Sequence, residues 1–499
     1  MNQLGIVFKK ESLLIAIFVL LAILLLSPVT ANADTYSGDW SYVSSGEGTI
    51  SITGYYGPGG VVTIPESIDG LTVNAIQGAA FDGYDHITNL YIPDTVKAVG
   101  DMAFENCWDM TQIRLSNNLE TIGLWAFQGC TNLEEISFPA SVTSIGMEPF
   151  TFCESLTAIN VDSANTVYKS VDGVLFTADG STLIAYPAAK AITTYTTPAN
   201  VVKIASEAFV SSKLEAIVIS DGIGTIGSRA FMQNYSLETV TMADSVAVIN
   251  DAAFRDCIDL TSISLSRNLI ILGGQVFDGC SSLTEISIPA SVDSIGYRAF
   301  HQCDKLTAIN VDPLNSSYAS DDGVLFTDDG TSLLWYPRGK VGSTYTIPAT
   351  TTRIEDGAFM STQIETIDIP NGVTFLGEYA FSRCANLTTI HMANSVLTTG
   401  YYSMALCPKL KNVTLSSGLQ KIEICTFAES GIEDIVIPEG VEVIDSGAFQ
   451  ECASLKTLQI PMSVSAINDG VFYETTGFTL KVYSGSFGHT YAIDNGIPF

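Results

Sequence analysis

Basic residues are scarce in this chain. Lys and Arg together number 22 against 53 Asp and Glu, for a formal net charge of −31. Proteins that hold nucleic acid do so by neutralising phosphates with Lys and Arg, so this balance excludes that class of partner. It equally opposes an anionic lipid surface. An acidic surface does keep an extended exported protein soluble.

The residue types that carry chemistry are also thin. The four histidines, His86, His301, His391 and His489, are scattered, and no His-x-x-x-His or paired-Cys spacing marks a metal site. There is no Gly-x-Ser-x-Gly nucleophile elbow. The carboxylate pairs Asp321-Asp322 and Asp328-Asp329 lack a twelve-residue calcium loop and read as turn formers. Gly222-Ile223-Gly224-Thr225-Ile226-Gly227 spells a dinucleotide fingerprint, but it falls on a repeated turn with no βαβ unit around it. No catalytic residue, metal ligand or cofactor site is expected, and the chain does not read as an enzyme.

Long apolar runs are missing except at the start. Lys9 and Lys10 precede an apolar stretch from Leu13 to Leu26, and Ala31-Asn32-Ala33 supplies small residues before Asp34. Basic start, short apolar core and A-x-A exit predict a signal peptide over residues 1–33. The stretch is shorter than the roughly 20 residues of a spanning helix. A membrane contact is expected only if this segment stays uncleaved.

What the chain has is repetition. Leu283-Thr284-Glu285-Ile286-Ser287-Ile288-Pro289, followed by Val292, Ile295 and Ala299-Phe300-His301-Gln302-Cys303, is one copy of a unit found along most of the sequence. The phenylalanine recurs at Phe81, Phe104, Phe127 and Phe150, and again at Phe209, Phe231, Phe254, Phe277 and Phe300, mostly in 23-residue steps. A period in the twenties marks a solenoid, in which each copy buries its apolar face only against a neighbour. Strand alternation puts Leu283, Ile286 and Ile288 inward; residues 296–303 turn as a loop or short helix over the Ala-Phe anchor.

Nine of the ten cysteines, among them Cys107, Cys130, Cys257, Cys280 and Cys303, sit three residues after that anchor; only Cys425 is off register. Such residues stack one per rung with parallel Cβ vectors, a poor approach for a disulfide. They are expected to be reduced, buried and small-hydrophobe-like.

Two matching segments interrupt the period. Val171-Asp172-Gly173-Val174-Leu175-Phe176 and Asp321-Asp322-Gly323-Val324-Leu325-Phe326 lie 150 residues apart and lead to Tyr186-Pro187 and Tyr336-Pro337. Apolar runs around Asp-Gly turns predict inserted β-hairpins near 162–197 and 312–347. Residues 34–77, with strand-like runs between Gly-rich turns, predict a β-meander as N-terminal cap. The solenoid then spans 78–479, and 480–499 form a C-terminal cap. The fold class is a repeat solenoid, mostly β.

With the inward positions committed to the core, the outward strand positions are left to bind. Tyr91, Arg114, Asn160, Asn310 and His391 are candidates on that face, which solenoids commonly present to partners. The tips of the hairpin inserts are the other candidate, because loops on a rigid scaffold often carry function. Trp335 is the conspicuous aromatic there, with Ala185 as its counterpart in the earlier insert.

The units, the Tyr-Pro inserts, Ile50-Ser51-Ile52-Thr53-Gly54-Tyr55 through Ile64-Pro65, and the ending Tyr491-Ala492-Ile493-Asp494-Asn495-Gly496-Ile497-Pro498-Phe499 resemble BspA-like leucine-rich repeat proteins. The resemblance implies a leucine-rich-repeat-like solenoid, secreted or associated with a cell surface. It implies adhesion to an extracellular protein such as host matrix or another cell surface. The alternative reading is an extracellular carbohydrate-binding or structural scaffold protein, with a glycan as partner.

Overall fold

A computed structural model describes residues 34–499; the expected signal peptide lies outside them. Among the described residues, no helix is long and apolar enough to cross a membrane. The fold falls into two units, one running to Leu133 and including Ser137–Phe150, the other comprising Glu134–Ile136 and Thr151–Phe499. Both are β-solenoids.

In the first unit, Trp40–Gly46 pairs antiparallel with Thr49–Tyr55, as a meander requires. The meander then ends. Thr49–Tyr55 pairs parallel with Leu71–Ile76, which continues to the two-residue strands Ala98–Val99, Thr121–Ile122 and Ser144–Ile145. A second parallel ladder joins Gly60–Thr63, Ile87–Tyr91 and Gln112–Arg114. The cap is therefore half hairpin and half first rung, because residues 60–76 already carry the inward Val62, Ile64, Val73 and Ile76 of a repeat.

The second unit repeats this scheme with a longer and a shorter strand per rung. Thr194–Thr196, Ala216–Ile219, Thr239–Met242 and Ser262–Ser264 form one parallel ladder. Lys203–Ile204, Thr225–Ile226, Val248–Ile249, Ile271–Leu272 and Ser294–Ile295 form the other. Between them the phenylalanines stack, Phe209 to Phe231 to Phe254 to Phe277 to Phe300, with ring centroids 4.7, 5.0, 5.8 and 6.0 Å apart. Each ring is essentially fully buried. At roughly 1.5–3 kcal/mol per buried large side chain, this column and its aliphatic neighbours offset the entropy of ordering a rung.

The third side of each rung is a non-helical turn. Residues two before and two after the phenylalanine adopt left-handed backbone, even where they are not glycine: Arg229 (φ 52°) and Gln233 (φ 59°) flank Phe231, and Ala252 (φ 56°) and Asp256 (φ 59°) flank Phe254. This geometry aims alternate N–H groups along the stack. Gln275, Phe277 and Gly279 donate to the carbonyls of Tyr297, Ala299 and His301 at 2.8–2.9 Å. Isolated left-handed residues of this kind are costly and persist only where their surroundings fix them, here by a bond to the next rung on every second amide.

All ten cysteines are unbridged and buried. They are more than the small hydrophobes expected. Cys257, Cys280 and Cys303 donate Sγ–H to the carbonyls of Phe231, Phe254 and Phe277 at 3.1 Å. At two positions where cysteine is replaced, another donor serves: Asn234 Nδ2 to Phe209 O and Thr475 Oγ1 to Phe449 O, both at 2.7 Å.

The inserts contain the expected antiparallel hairpins and one strand more. Each is a three-stranded antiparallel meander, Tyr168–Val171, Val174–Thr177, Thr182–Ala185 in the first and Tyr318–Asp321, Val324–Thr327, Ser332–Trp335 in the second. The third strand then joins the short-strand ladder in parallel, at Lys203–Ile204 and at Arg353–Ile354. The tyrosine of each Tyr-Pro pair takes the phenylalanine's place in the column, Tyr186 at 4.9 Å from Phe209 and Tyr336 at 5.0 Å from Phe359. An insert is thus an elaborated rung, and that is why its apolar runs are so complete. At the far end, strand Thr479–Lys481 is followed by the one helix among the described residues, Phe487–Asp494, capped by Ser486.

Candidate functional site

The long strands alternate strictly, so Ile286 and Ile288 are buried while Glu285 and Ser287 face out. Parallel pairing without slip puts equivalent outward residues side by side. Tyr91 pairs with Arg114 in the first unit, and Tyr91 is 38% exposed. Asn89 Nδ2 donates to Gln112 Oε1 at 2.9 Å on the same face. In the second unit the rows are Val218–Thr241–Ser264, Ser287–Asn310, Asp368–His391–Thr414 and Val436–Gln459–Lys481.

The sequence-predicted residues are therefore exposed strand positions, but they do not form one cluster. Tyr91 and Arg114 are neighbours. Asn160 is exposed on Ala158–Val161. Asn310 holds the matching place in the later strand Ala308–Val311, beside Ser287. His391 Nδ1 lies 2.8 Å from Asp368 Oδ1, both exposed, so its ring is oriented by the neighbouring rung.

The tip position expected for Trp335 is a correction. The residue lies at the end of the third meander strand, opposite Leu325, and is only 9% exposed. The loops at the strand junctions are 322–323 and 328–330 instead. There Asp329 Oδ1 accepts from Thr327 Oγ1, Thr331 N and Thr331 Oγ1, as Asp179 does in the earlier insert, where these bonds hold the carboxyl down to about 2. The tip carboxylates are thus engaged by their own loops.

One stretch of the strand face is concave. Three successive rungs line a groove of about 480 Å³: Ser264, Leu265 and Arg267, then Ser287 with Pro289, then Asn310 with Asp312. Asn310 is the only one of the six predicted residues in it. Arg267 Nε donates to Asp244 Oδ2 at 2.8 Å and its amide to Oδ1 at 3.0 Å, bonds that hold the Asp244 carboxyl below the usual range. Arg267 and Asp312 escaped sequence reading because they follow the strand rather than lie on it. The groove offers hydroxyls, an amide, one guanidinium and one carboxylate over an aliphatic floor, a surface for polar contacts with a large ligand.

Solved structures that resemble the chain are leucine-rich repeat proteins. One, described as a leucine rich cell surface protein from Faecalibacterium prausnitzii, is 26% identical, with 93% of this chain and 98% of that chain covered and a TM-score of 0.42. A leucine-rich repeat protein from Bacteroides ovatus is 20% identical over 90% of this chain and 99% of its own, with a TM-score of 0.33. The pneumococcal vaccine antigen PcpA is 17% identical over 91% and 89%, with a TM-score of 0.37. No curated protein matches the chain. The model of the BspA type leucine rich repeat region matches residues 62–171, 185–317 and 352–479, most of the chain and nearly every rung described above. The chain belongs to the BspA-type leucine-rich repeat family.

Proposed function

We propose that the chain is an exported, non-enzymatic binding protein that holds an extracellular protein along its outward strand ladder, in the manner of an adhesin. The observation that carries this reading is the contrast within the repeats. Inward positions keep Phe, Ile and Leu from rung to rung, while outward neighbours change from Val218 to Thr241 to Ser264, or from Asp368 to His391 to Thr414. A rigid scaffold with a variable face is how solenoids present large, shallow recognition surfaces. Family membership and the basic-apolar-small pattern of residues 1–33 support export to the cell exterior or surface.

The test is surface-immobilised collagen, fibronectin and laminin titrated with the chain starting at Asp34. Saturable binding to one of them, weakened at least tenfold by Arg267→Ala with Asn310→Ala or by Tyr91→Ala with Arg114→Ala, supports the reading. Hot spots dominate such interfaces, so two residues suffice to register. Binding that ignores both double variants, or no binding to any matrix protein, overturns it.

A further inference from the structure

A cleft lies beside the second insert. It has a volume of about 390 Å³ and lies where the turn of the rung at Phe300 meets the meander, lined by Tyr297, Arg298, Tyr318, Trp335, Glu355 and Asp356 among others. It is within the size range of small-ligand sites, which are largely apolar with a few converging polar groups. It is set on the turn and short-strand side, apart from the outward ladder, and does not depend on the reading given for that face.

The two copies differ in the residues around this place. In the earlier copy Glu207 forms an ion pair with Arg229 at 3.0 Å and accepts from Thr151 Oγ1, and its side chain is 6% exposed. In the later copy, 150 residues on, Glu207 is replaced by Gly357, Arg229 by Tyr379, Thr151 by His301 and Ala185 by Trp335. The ion pair is gone and aromatic surface stands in its place. A Cβ added to Gly357 would lie 3.9 Å from both Trp335 Cζ3 and Met360 Cβ, so a larger residue here would stand against the indole.

The polar groups of the cleft are of both signs and partly unused. Trp335 is nine-tenths buried, and its Nε1–H has no partner. Tyr318 Oη accepts from Ile295 N at 2.9 Å, which leaves its own O–H proton to donate. The Arg298 guanidinium carbon sits 5.0 Å from the Tyr297 ring centroid and 5.9 Å from that of Tyr379. Glu355 meets Arg353 at 2.8 Å, and Asp356 accepts from the Glu378 amide at 2.8 Å with one carboxylate oxygen. Tyr297 is 59% exposed at the mouth.

We propose that this cleft binds a neutral hexopyranose at the end of an oligosaccharide. A sugar ring presents a face of polarised C–H groups to the negative faces of Trp and Tyr, and its hydroxyls both donate and accept, as Arg298, Glu355 and Asp356 together require. The two carboxylates and a chain charge of −31 repel acidic sugars and phosphates. A neutral polyol escapes that penalty.

The test uses the chain from Asp34 with ¹⁵N-labelled tryptophan; the four indole N–H signals are few enough to resolve, and Trp335→Phe assigns the one in the cleft. Cellotriose, maltotriose, mannotriose and triacetylchitotriose are titrated in turn, with trilysine and trigalacturonate as charged comparators. The expected result is a saturable shift of the Trp335 signal with at least one neutral trisaccharide, weakened at least tenfold by Tyr297→Ala and by Gly357→Glu, which restores the earlier copy's residue. Arg267→Ala with Asn310→Ala leaves it unchanged, so failure here is separable from failure of the strand-face reading. The proposal is overturned if no neutral sugar moves the signal, if trilysine or trigalacturonate moves it instead, or if Tyr297→Ala and Gly357→Glu bind as the parent does. Tyr297 is mostly exposed, so loss of fold does not explain the effect of its removal.

Discussion

Asn234 Nδ2 donates to the carbonyl of Phe209 at 2.7 Å, the bond that Cys257 Sγ makes to Phe231 one rung on at 3.1 Å. The cysteine column is thus a column of donors, in which sulfur is one solution among several. Asn234→Ala would take one donor each from the buried Phe209 and Phe231 carbonyls and, at about 0.5–1.5 kcal/mol per bond, is expected to cost about 1–3 kcal/mol, whereas Asn234→Cys should recover part of it. Chemical denaturation of the three proteins checks the order; equal stability of the Ala and Cys variants would refute the donor role.

The same column predicts inert thiols. Burial pushes Cys107 up to about 12, and Cys303 and Cys280 well above the ordinary thiol value. The thiolate is the reactive form, so in native protein at pH 8 these three cysteines should resist iodoacetamide, and all ten positions should react after unfolding. Mass spectrometry finding Cys107 and Cys130 joined by a disulfide would contradict it.

Stability should fall at both ends of the pH scale. Groups raised in the folded state, Cys107 to about 12 by burial and Tyr195 and Tyr336 likewise, stabilise fully below their unfolded values near 9 and 10. That contribution is lost as pH rises through about 12. Glu433, held down to about 2 by Lys411 and Lys456 on adjacent rungs, acts in the opposite sense. Its contribution is present above 4.5 and is lost as pH falls towards 2. A Tm profile should therefore be flat from about pH 5 to 9 and drop on both sides; a maximum below pH 4 would contradict the assignment.

Phe277→Ala removes a fully buried ring from the middle of its stack and should cost about 3–5 kcal/mol. In a solenoid the loss is felt by nearest neighbours. Hydrogen exchange should accelerate first at the amides of Phe254 and Phe277, whose bonds run to the flanking rungs. Uniform acceleration across all rungs of the second unit would show instead that the unit opens as a whole.

Much of this fold was legible because the period of Phe254, Phe277 and Phe300 and the alternation of Ile286 and Ile288 are local patterns. The left-handed turn was not. Arg229 and Gln275 hold backbone that glycine would advertise, and their stability comes from bonds to the next rung rather than from their own type. The inserted hairpins were legible, because Asp172-Gly173 and Asp179-Gly180 announce two tight turns. The parallel pairing of Thr182–Ala185 with Lys203–Ile204 was not, since it is set by the stack beyond them. Trp335 was placed at a tip for that reason; it belongs to the strand that rejoins the core. Of the strand face, Tyr91, Arg114, Asn160, Asn310 and His391 were legible by alternation. The concavity around Asn310 depends on how three rungs abut, and no single repeat encodes that.

Tyr186 and Tyr336 each begin a fresh run of the aromatic column, Tyr186 over Phe209 and Tyr336 over Phe359, with the same rung behind them. The chain is consequently written in interchangeable cassettes whose ends are alike. Excising residues 201–350 would join Asn200 to Thr351 at matching points of two equivalent turns, sparing the Tyr186 ring and presenting it with Phe359 in place of Phe209. Gene-level recombination between the two inserts can therefore lengthen or shorten the molecule one cassette at a time. The number of outward rows is then a heritable variable, adjustable without any new folding problem being solved.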